Sequence, residues 1–367
     1  MRVCVIVPSI RKFQLWPKYA RDFKLFDYDP DILIIDEEPS EVREANRELL
    51  GSNAEFFGED ERRSWFKQHK LTDKVIPIRS HAETSFGLLV AYEREYDVTC
   101  FLDDDTSPFT PNWLGCHLSM LGYESQRKVT KTILLSNTKW VPPLPDYYTR
   151  GFPYSERAKP TRFKSEELAG EVVLNQGLWS KIPDKNAVDI LVELGLDGRP
   201  PPVWPDIRFN RIVDRGCYTT VCSMNLSFKT EIVPAFYQLP MERTKLGDGR
   251  ISGVDRFDDI WSGVFLKKVL DKLGKSMSFG LPLCVHDKTP RDVFRDIQAE
   301  MDGVLINEQL WKVVDEIQLD ESTDYYSCYA ELASKLRKES SHFHIPYLIE
   351  SMCRKMLWWT ELVAKLE

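Results

Sequence analysis

Asp103-Asp104-Asp105 follows directly on Val98-Thr99-Cys100-Phe101-Leu102, an apolar-leaning run that reads as a buried strand. In extended chain, residues i and i+2 point the same way, so Asp103 and Asp105 share a face and Asp104 opposes them. Two hard oxygen donors at that spacing suit Mn2+ or Mg2+, which could neutralise a diphosphate. A solvated acidic turn is the plainer alternative; the strand before the triplet favours the cation. His286 closes another strand-like run, Gly280 to Val285, and could add a ligand or serve only as a packing and hydrogen-bonding residue. Asp258-Asp259 stands just before a helical stretch, where one carboxylate could cap the helix and the other act as a general base or hold an acceptor. Arg150 and Arg157 bracket a loop-rich segment and could bind phosphate or a sugar carboxylate, or form ordinary surface ion pairs.

The elements that must position these groups are legible in outline. Val3–Val7, Asp31–Asp36, Val75–Ile78 and Asp97–Leu102 read as strands, with helices over Glu41–Leu50 (Ser40 as its N-cap) and Ser85–Glu95 between them. Such alternation predicts a mostly parallel sheet with crossover helices, whose ligands bind beyond the carboxyl ends of the strands. Ser9, Asp36, Arg79 and the aspartate triplet occupy those ends. The middle of the chain is richer in Pro, Gly and aromatic residues; Tyr218–Phe228 and Ser278–His286 look like strands and Ile260–Leu273 like a helix. From about residue 291 the chain reads as helical, and Leu348, Met352, Met356, Trp359 and Val363 recur as a stripe to be buried on the protein itself or on a sister subunit.

Composition narrows the function. Hydrophobic residues make up 43% of the 367, enough for a sizeable core. A formal charge of −8 disfavours nucleic-acid binding, which relies on a basic face. The eight cysteines form no C-x-x-C pair, so reduced thiols and a cytoplasmic setting are expected, without a zinc site. No apolar stretch of about 18 residues is present, and the strand-like start is not expected to be a signal peptide.

Several blocks, in their order and rough spacing, resemble the reversibly glycosylated polypeptide family, whose plant members are UDP-arabinopyranose mutases. They are Ile6-Val7-Pro8-Ser9-Ile10-Arg11, Asp103-Asp104-Asp105, Arg150-Gly151-Phe152-Pro153-Tyr154-Ser155-Glu156-Arg157, Gln176-Gly177-Leu178-Trp179 with Ile182-Pro183-Asp184, Cys222 to Phe228, Gly247-Asp248-Gly249 and Arg256 to Gly263. The resemblance implies an α/β fold of the glycosyltransferase A type. A nucleotide-sugar-binding half would span 1–107, an acceptor half 108–290 and a helical extension 291–367. It implies a UDP-sugar ligand, with Mn2+ or Mg2+ on the D-x-D motif, and an arginine that is reversibly glycosylated. That arginine corresponds to Arg150, and the second family arginine to Arg157. On this reading Asp103, Asp105 and His286 hold the cation. Pro8, Ser9, Arg11, Asp36 and Asp104 bind the nucleotide, with Arg79 near the phosphates. Asp258 and Asp259 serve Arg150, and a homo-oligomer is expected. The chain departs from the plant pattern at Asp36-Glu37-Glu38, Arg79 to Thr84, 193–215 and Ala158-Lys159, so it reads as a divergent member whose sugar is open. Transfer to a separate acceptor with Asp258 or Asp259 as base, or a non-catalytic scaffold, are the alternatives.

Overall fold

The computed structural model describes residues 1–36, 40–77, 80–124, 130–134, 138–144, 147–159, 163–167, 171–241, 245–246 and 249–367. The first part alternates strand and helix: β1 (Val3–Ser9), α1 (Trp16–Leu25), β2 (Asp31–Asp36), α2 (Ser40–Leu50), β3 (Ala54–Phe57), α3 (Glu59–Gln68), α4 (Thr84–Glu93) and β4 (Val98–Leu102). β1 lies between β2 and β4, and β2 beside β3, all parallel. Their apolar runs are continuous because both faces of the sheet are covered. Cys4, Ile6, Leu33, Ile35 and Phe101 join the core that includes Phe86 and Leu89 of α4. Val5, Val7, Ile32, Ile34, Cys100 and Leu102 join the opposite core with Trp16, Tyr19 and Phe23 of α1. Gly87 marks the crossing of α4 over β1: a Cβ there would lie 2.6 Å from Ile6 Cγ2, so only bare backbone permits this approach.

One expected strand is displaced. Val75 and Ile76 lie in a turn, buried in the α4-side core; Ile78 and Arg79 fall outside the described residues. The third strand of the parallel set is β3. Its short Ala54-Glu55-Phe56-Phe57 run carries little β signal of its own and is made a strand by its four-residue register on β2.

The chain continues with β5 (Thr106–Pro108), α5 (Trp113–Met120), β6 (Thr130–Leu134), α6 (Tyr154–Arg157), β7 (Phe163–Glu167), β8 (Val172–Lys181), α7 (Ala187–Val192), β9 (Arg211–Val213), β10 (Asn225–Lys229), α8 (Asp258–Leu273) and β11 (Ser276–His286). Among the described residues the sheet runs β3-β2-β1-β4-β10-β8-β11-β9-β6-β7, with β5 paired to β11. It is mixed: β10 is antiparallel to both β4 and β8, and β11 is parallel to β8. The carboxyl ends of β4, β8 and β11 therefore meet at one edge of the sheet. Because β10 runs the other way, the segment entering it arrives at that same edge, and Asp103 N donates to Met224 O at 3.3 Å.

The tail forms α9 (Val293–Glu316), α10 (Tyr325–Lys338) and α11 (Pro346–Val363). The expected stripe on α11 is buried against this chain's own body. Trp359 stacks on Tyr237 at 4.8 Å, and its indole donates to Val233 O at 3.0 Å. Among the described residues no helix is long and apolar enough to cross a membrane, and all eight cysteines are free thiols.

Candidate functional site

The strand ends open on a cleft of about 460 Å³ lined by Pro8, Arg11, Asp103, Asp105, Arg150, Asp258, Asp259 and His286, together with residues the sequence did not single out. The aspartate triplet forms a turn between β4 and β5. Asp103 and Asp105 face the cleft, whereas Asp104 turns towards the end of β1. There its carboxylate accepts from Ser9 Oγ (3.4 Å) and Ile10 N (3.3 Å) and pairs with Arg11 Nε (2.7 Å). Burial, opposed by Arg11, pushes the Asp104 carboxyl up to about 6. Arg11 also reaches Asp105 Oδ2 at 3.4 Å, so it stands at the acidic turn. Burial, and then the like charges of Asp105, Asp104 and Asp259, push Asp103 well above the ordinary carboxylate range.

These donors fit a divalent cation. Asp105 Oδ1 is buried without a hydrogen-bond partner among the described residues. His286 Nδ1 donates to Ile182 O at 2.8 Å, which leaves the Nε2 lone pair directed away from that bond, 3.8 Å from Asp105 Oδ2. Two ligands each about 2.1 Å from one ion can take that separation. Burial, opposed by Asp105, lowers the His286 pKa, which keeps the imidazole neutral as a metal ligand must be. Among the described residues no three His, Cys, Asp or Glu side chains form a complete metal centre. A cation held here would therefore need further ligands, which diphosphate oxygens and water can supply.

Arg150 lines the same cleft as Asp103 and Asp105, buried with 7% exposure. Its Nε donates to Asp184 Oδ2 at 2.7 Å and its Nη2 to Asp259 Oδ2 at 2.9 Å, while Nη1 donates to Arg256 O. Cys222 Sγ lies 3.9 Å from Nη2. Burial works against the charge, but Asp184 and Asp259 outweigh it and hold the guanidinium well above its ordinary pKa. Asp184 is in turn held low: burial would raise it, and Arg150, Arg256 and Lys288 together overcome that. Arg256, in the left-handed region at φ 65°, reaches Asp184 Oδ1 at 3.3 Å and Glu300 Oε1 of α9 at 2.5 Å. The helical tail therefore supplies a buried carboxylate that positions a cleft residue.

Other expected residues are placed apart from the cleft. Arg157 is engaged elsewhere: it pairs with Asp189 at 2.7 and 2.9 Å and lies over the Tyr154 ring at 3.8 Å. Asp36 is paired with Arg43 at 3.2 Å, Ser9 holds the turn at Arg11 O (2.9 Å), and neither lines the cleft. Arg79, Glu37-Glu38 and Gly247-Asp248 fall outside the described residues. Lys288, Thr289 and Arg291 line the cleft without having been singled out, and Asp184, Cys222 and Arg256, named only as parts of the family blocks, line it as well. Asp184 and Lys288 carried the same signal as the residues that were, a position just after a strand.

A parallel strand–helix half joined through antiparallel β10 to a second half, with the Asp103–Asp105 turn at the carboxyl end of β4, is the α/β arrangement expected of the glycosyltransferase A type. Within that class the chain belongs to the reversibly glycosylated polypeptide family, whose model matches residues 36–367. It is 27% identical over 379 residues to UDP-arabinopyranose mutase 1 of Arabidopsis thaliana, covering 97% of this chain and 90% of that protein. It is 25% identical to UDP-arabinopyranose mutase 1 of Oryza sativa subsp. japonica, covering 98% and 90%. Among solved structures it is similar to glucosyl-3-phosphoglycerate synthase from Mycobacterium tuberculosis in complex with Mn2+ and UDP-glucose, at 10% identity and a TM-score of 0.42, covering 83% of this chain and 78% of that one.

Proposed function

We propose that this protein is a UDP-sugar mutase that glycosylates its own Arg150 and releases the sugar back to UDP in a changed ring form. The observation that carries the reading is Arg150 itself, a buried guanidinium clamped by Asp184 and Asp259 in the wall of the cleft that holds Asp103, Asp105 and His286. UDP-arabinopyranose mutases at 27% identity support the substrate class. Asp103, Asp105 and His286 would hold Mn2+ or Mg2+, which when bound supplies positive charge to the departing diphosphate. Arg11, fixed to Asp104, flanks the same phosphates, and Pro8 lies at the nucleotide end. Residues 1–107 bind the nucleotide and 108–290 carry the sugar-accepting groups.

A protonated guanidinium is a poor nucleophile, so its proton must leave as the new bond forms. Nη2 is the candidate atom, because it already donates to Asp259. The bond from C1 to the phosphate oxygen breaks with its electron pair staying on UDP. Nη2 bonds to C1, Asp259 takes the Nη2 proton, and the glycosylated guanidinium keeps its positive charge. The Asp184 bond to Nε fixes the plane of the group during this step, an orientation effect paid in advance by folding. Asp258, also in the cleft wall, would exchange a proton with a sugar hydroxyl when the ring opens and recloses.

Incubation with radiolabelled UDP-glucose, UDP-galactose and UDP-arabinose, followed by gel and product analysis, tests the proposal. Label on the protein with a changed sugar ring form is expected for at least one of them. Label only on an added acceptor would make the protein an ordinary transferase, and no label or conversion with any sugar would refute both.

A further inference from the structure

We propose that Lys288 binds the β-phosphate of the nucleoside diphosphate, the phosphate that carries the sugar. The inference rests on the reading of the cleft as a UDP-sugar site. Lys288 lines that cleft, is 7% exposed, and its Nζ is buried with no hydrogen-bond partner among the described residues. The arginines beside it are each matched by a carboxylate: Arg150 by Asp184 and Asp259, Arg256 by Asp184 and Glu300, Arg291 by Asp296 at 3.0 Å, and Arg11 by Asp104. Lys288 is left with three N–H donors and no acceptor, which a folded protein tolerates where an anionic ligand supplies one.

The backbone around Lys288 is fixed before any ligand arrives. Asp287 N donates to Asp105 O at 2.8 Å, Thr289 Oγ1 accepts from Arg11 Nη1 at 2.6 Å, and Arg291 N donates to Asp197 O at 2.7 Å. The first of these ties runs to the acidic turn itself and the second to Arg11, which pairs with Asp104 and Asp105, so the segment is aligned with the cation donors. Of the parts of a UDP-sugar, uracil, ribose and a neutral sugar bear no charge, so the diphosphate is the anion available to an ammonium. Its two phosphates are distinguished by what lies on each side. His286 is two residues away, and Asp184, the partner of Arg150, is close enough for its charge to act on Lys288. Since Lys288 follows a cation donor and feels the charge of the carboxylate that holds Arg150, the phosphate it meets is the one that bears the sugar.

The test is titration calorimetry of UDP and UMP, each with Mn2+, on wild type, Lys288→Met and Lys288→Arg, with thermal melting of all three. Lys288→Met should weaken UDP binding about tenfold and leave UMP within about twofold, so that the preference for UDP over UMP falls, and Lys288→Arg should recover most of it. Melting of the Met variant should stay within a few degrees of wild type, because the lost attraction to Asp184 is offset by removing a buried ammonium that has no hydrogen-bond partner. An unchanged UDP-to-UMP preference in Lys288→Met, equal weakening of UDP and UMP, or a melting temperature lowered by more than that in both variants would overturn the assignment. Wild-type protein that binds neither nucleotide would instead overturn the reading of the cleft, and the Lys288 assignment with it.

Discussion

Asp184→Asn keeps the shape of a buried side chain and removes its charge. The carboxylate accepts from Arg150 Nε at 2.7 Å and from Arg256 Nη2 at 3.3 Å, and it also stabilises Lys288. At an effective dielectric of about 20, two charges about 4 Å apart interact by about 4 kcal/mol. The amide oxygen of asparagine still accepts one hydrogen bond, which returns about 1 kcal/mol. The new NH2 group meets only donors on that side, so nothing further is recovered. The expected loss is about 3 kcal/mol, within the range for breaking one partner of a buried pair. Denaturant unfolding at constant m value measures it. Asp206→Asn, in the exposed pair with Arg208, is the control and should not shift the midpoint measurably. Self-glycosylation should fall at least tenfold in Asp184→Asn, because Arg150 keeps Asp259 but the charge-assisted bond that fixes its plane is reduced to a weaker one, for which Arg256 competes. UDP binding with Mn2+ should hold or tighten, since the cleft has lost a negative charge. An unfolding midpoint and a labelling rate both equal to wild type would refute the clamp as the device that prepares Arg150.

Asp105→Ala should abolish Mn2+-dependent UDP binding by calorimetry while the melting temperature stays within a few degrees of wild type, because the residue sits in a turn at the cleft edge; metal-dependent affinity equal to wild type would remove Asp105 from the cation site. Gly151→Ala, at φ 78° and with its new Cβ 2.5 Å from Ile260 Cδ1, should cost about 1–3 kcal/mol and slow labelling, because Ile260 adjoins Asp259; full stability and activity would contradict the close packing. His117 predicts a pH effect. Burial, partly offset by its bond to Asn225, lowers its pKa from 6.5 to about 3. Between those values the unfolded chain binds the extra proton, so stability is full above pH 6.5 and falls as the pH drops towards 3. From pH 7 to 5 this one residue accounts for about 2 kcal/mol. His117→Gln should flatten the stability profile over that interval, and an unchanged slope would show that other groups set it.

The fold was most legible where one local pattern decided it. The β1, β2 and β4 runs are apolar on both faces because helices cover both faces, and that pattern survives in sequence. β3 was not legible, since four residues with a glutamate become a strand only through pairing with β2. Val75-Ile76 carried a strand's composition, yet packs as a buried turn. The same distinction holds for the site. The pairing of Asp103 with Asp105 on one side of the turn, and the end of β11 at His286, could be read from period and position. The Asp184–Arg150–Asp259 clamp joins residues 34 and 109 positions apart, which no local period or spacing brings together. Arg157 shows the converse: its proximity to Arg150 in sequence suggested a shared role, whereas α6 turns it onto Asp189 and two tyrosine rings.

The most direct measurement is where the sugar goes. Protein incubated with Mn2+ and the UDP-sugar that labels it, digested and analysed by mass spectrometry, should carry one hexose or pentose on the peptide containing Arg150. Arg150→Ala should incorporate none and interconvert no sugar, yet still bind UDP with Mn2+. Label at the wild-type rate in Arg150→Ala, or on a peptide that does not contain residue 150, would contradict the assignment of Arg150 as the acceptor.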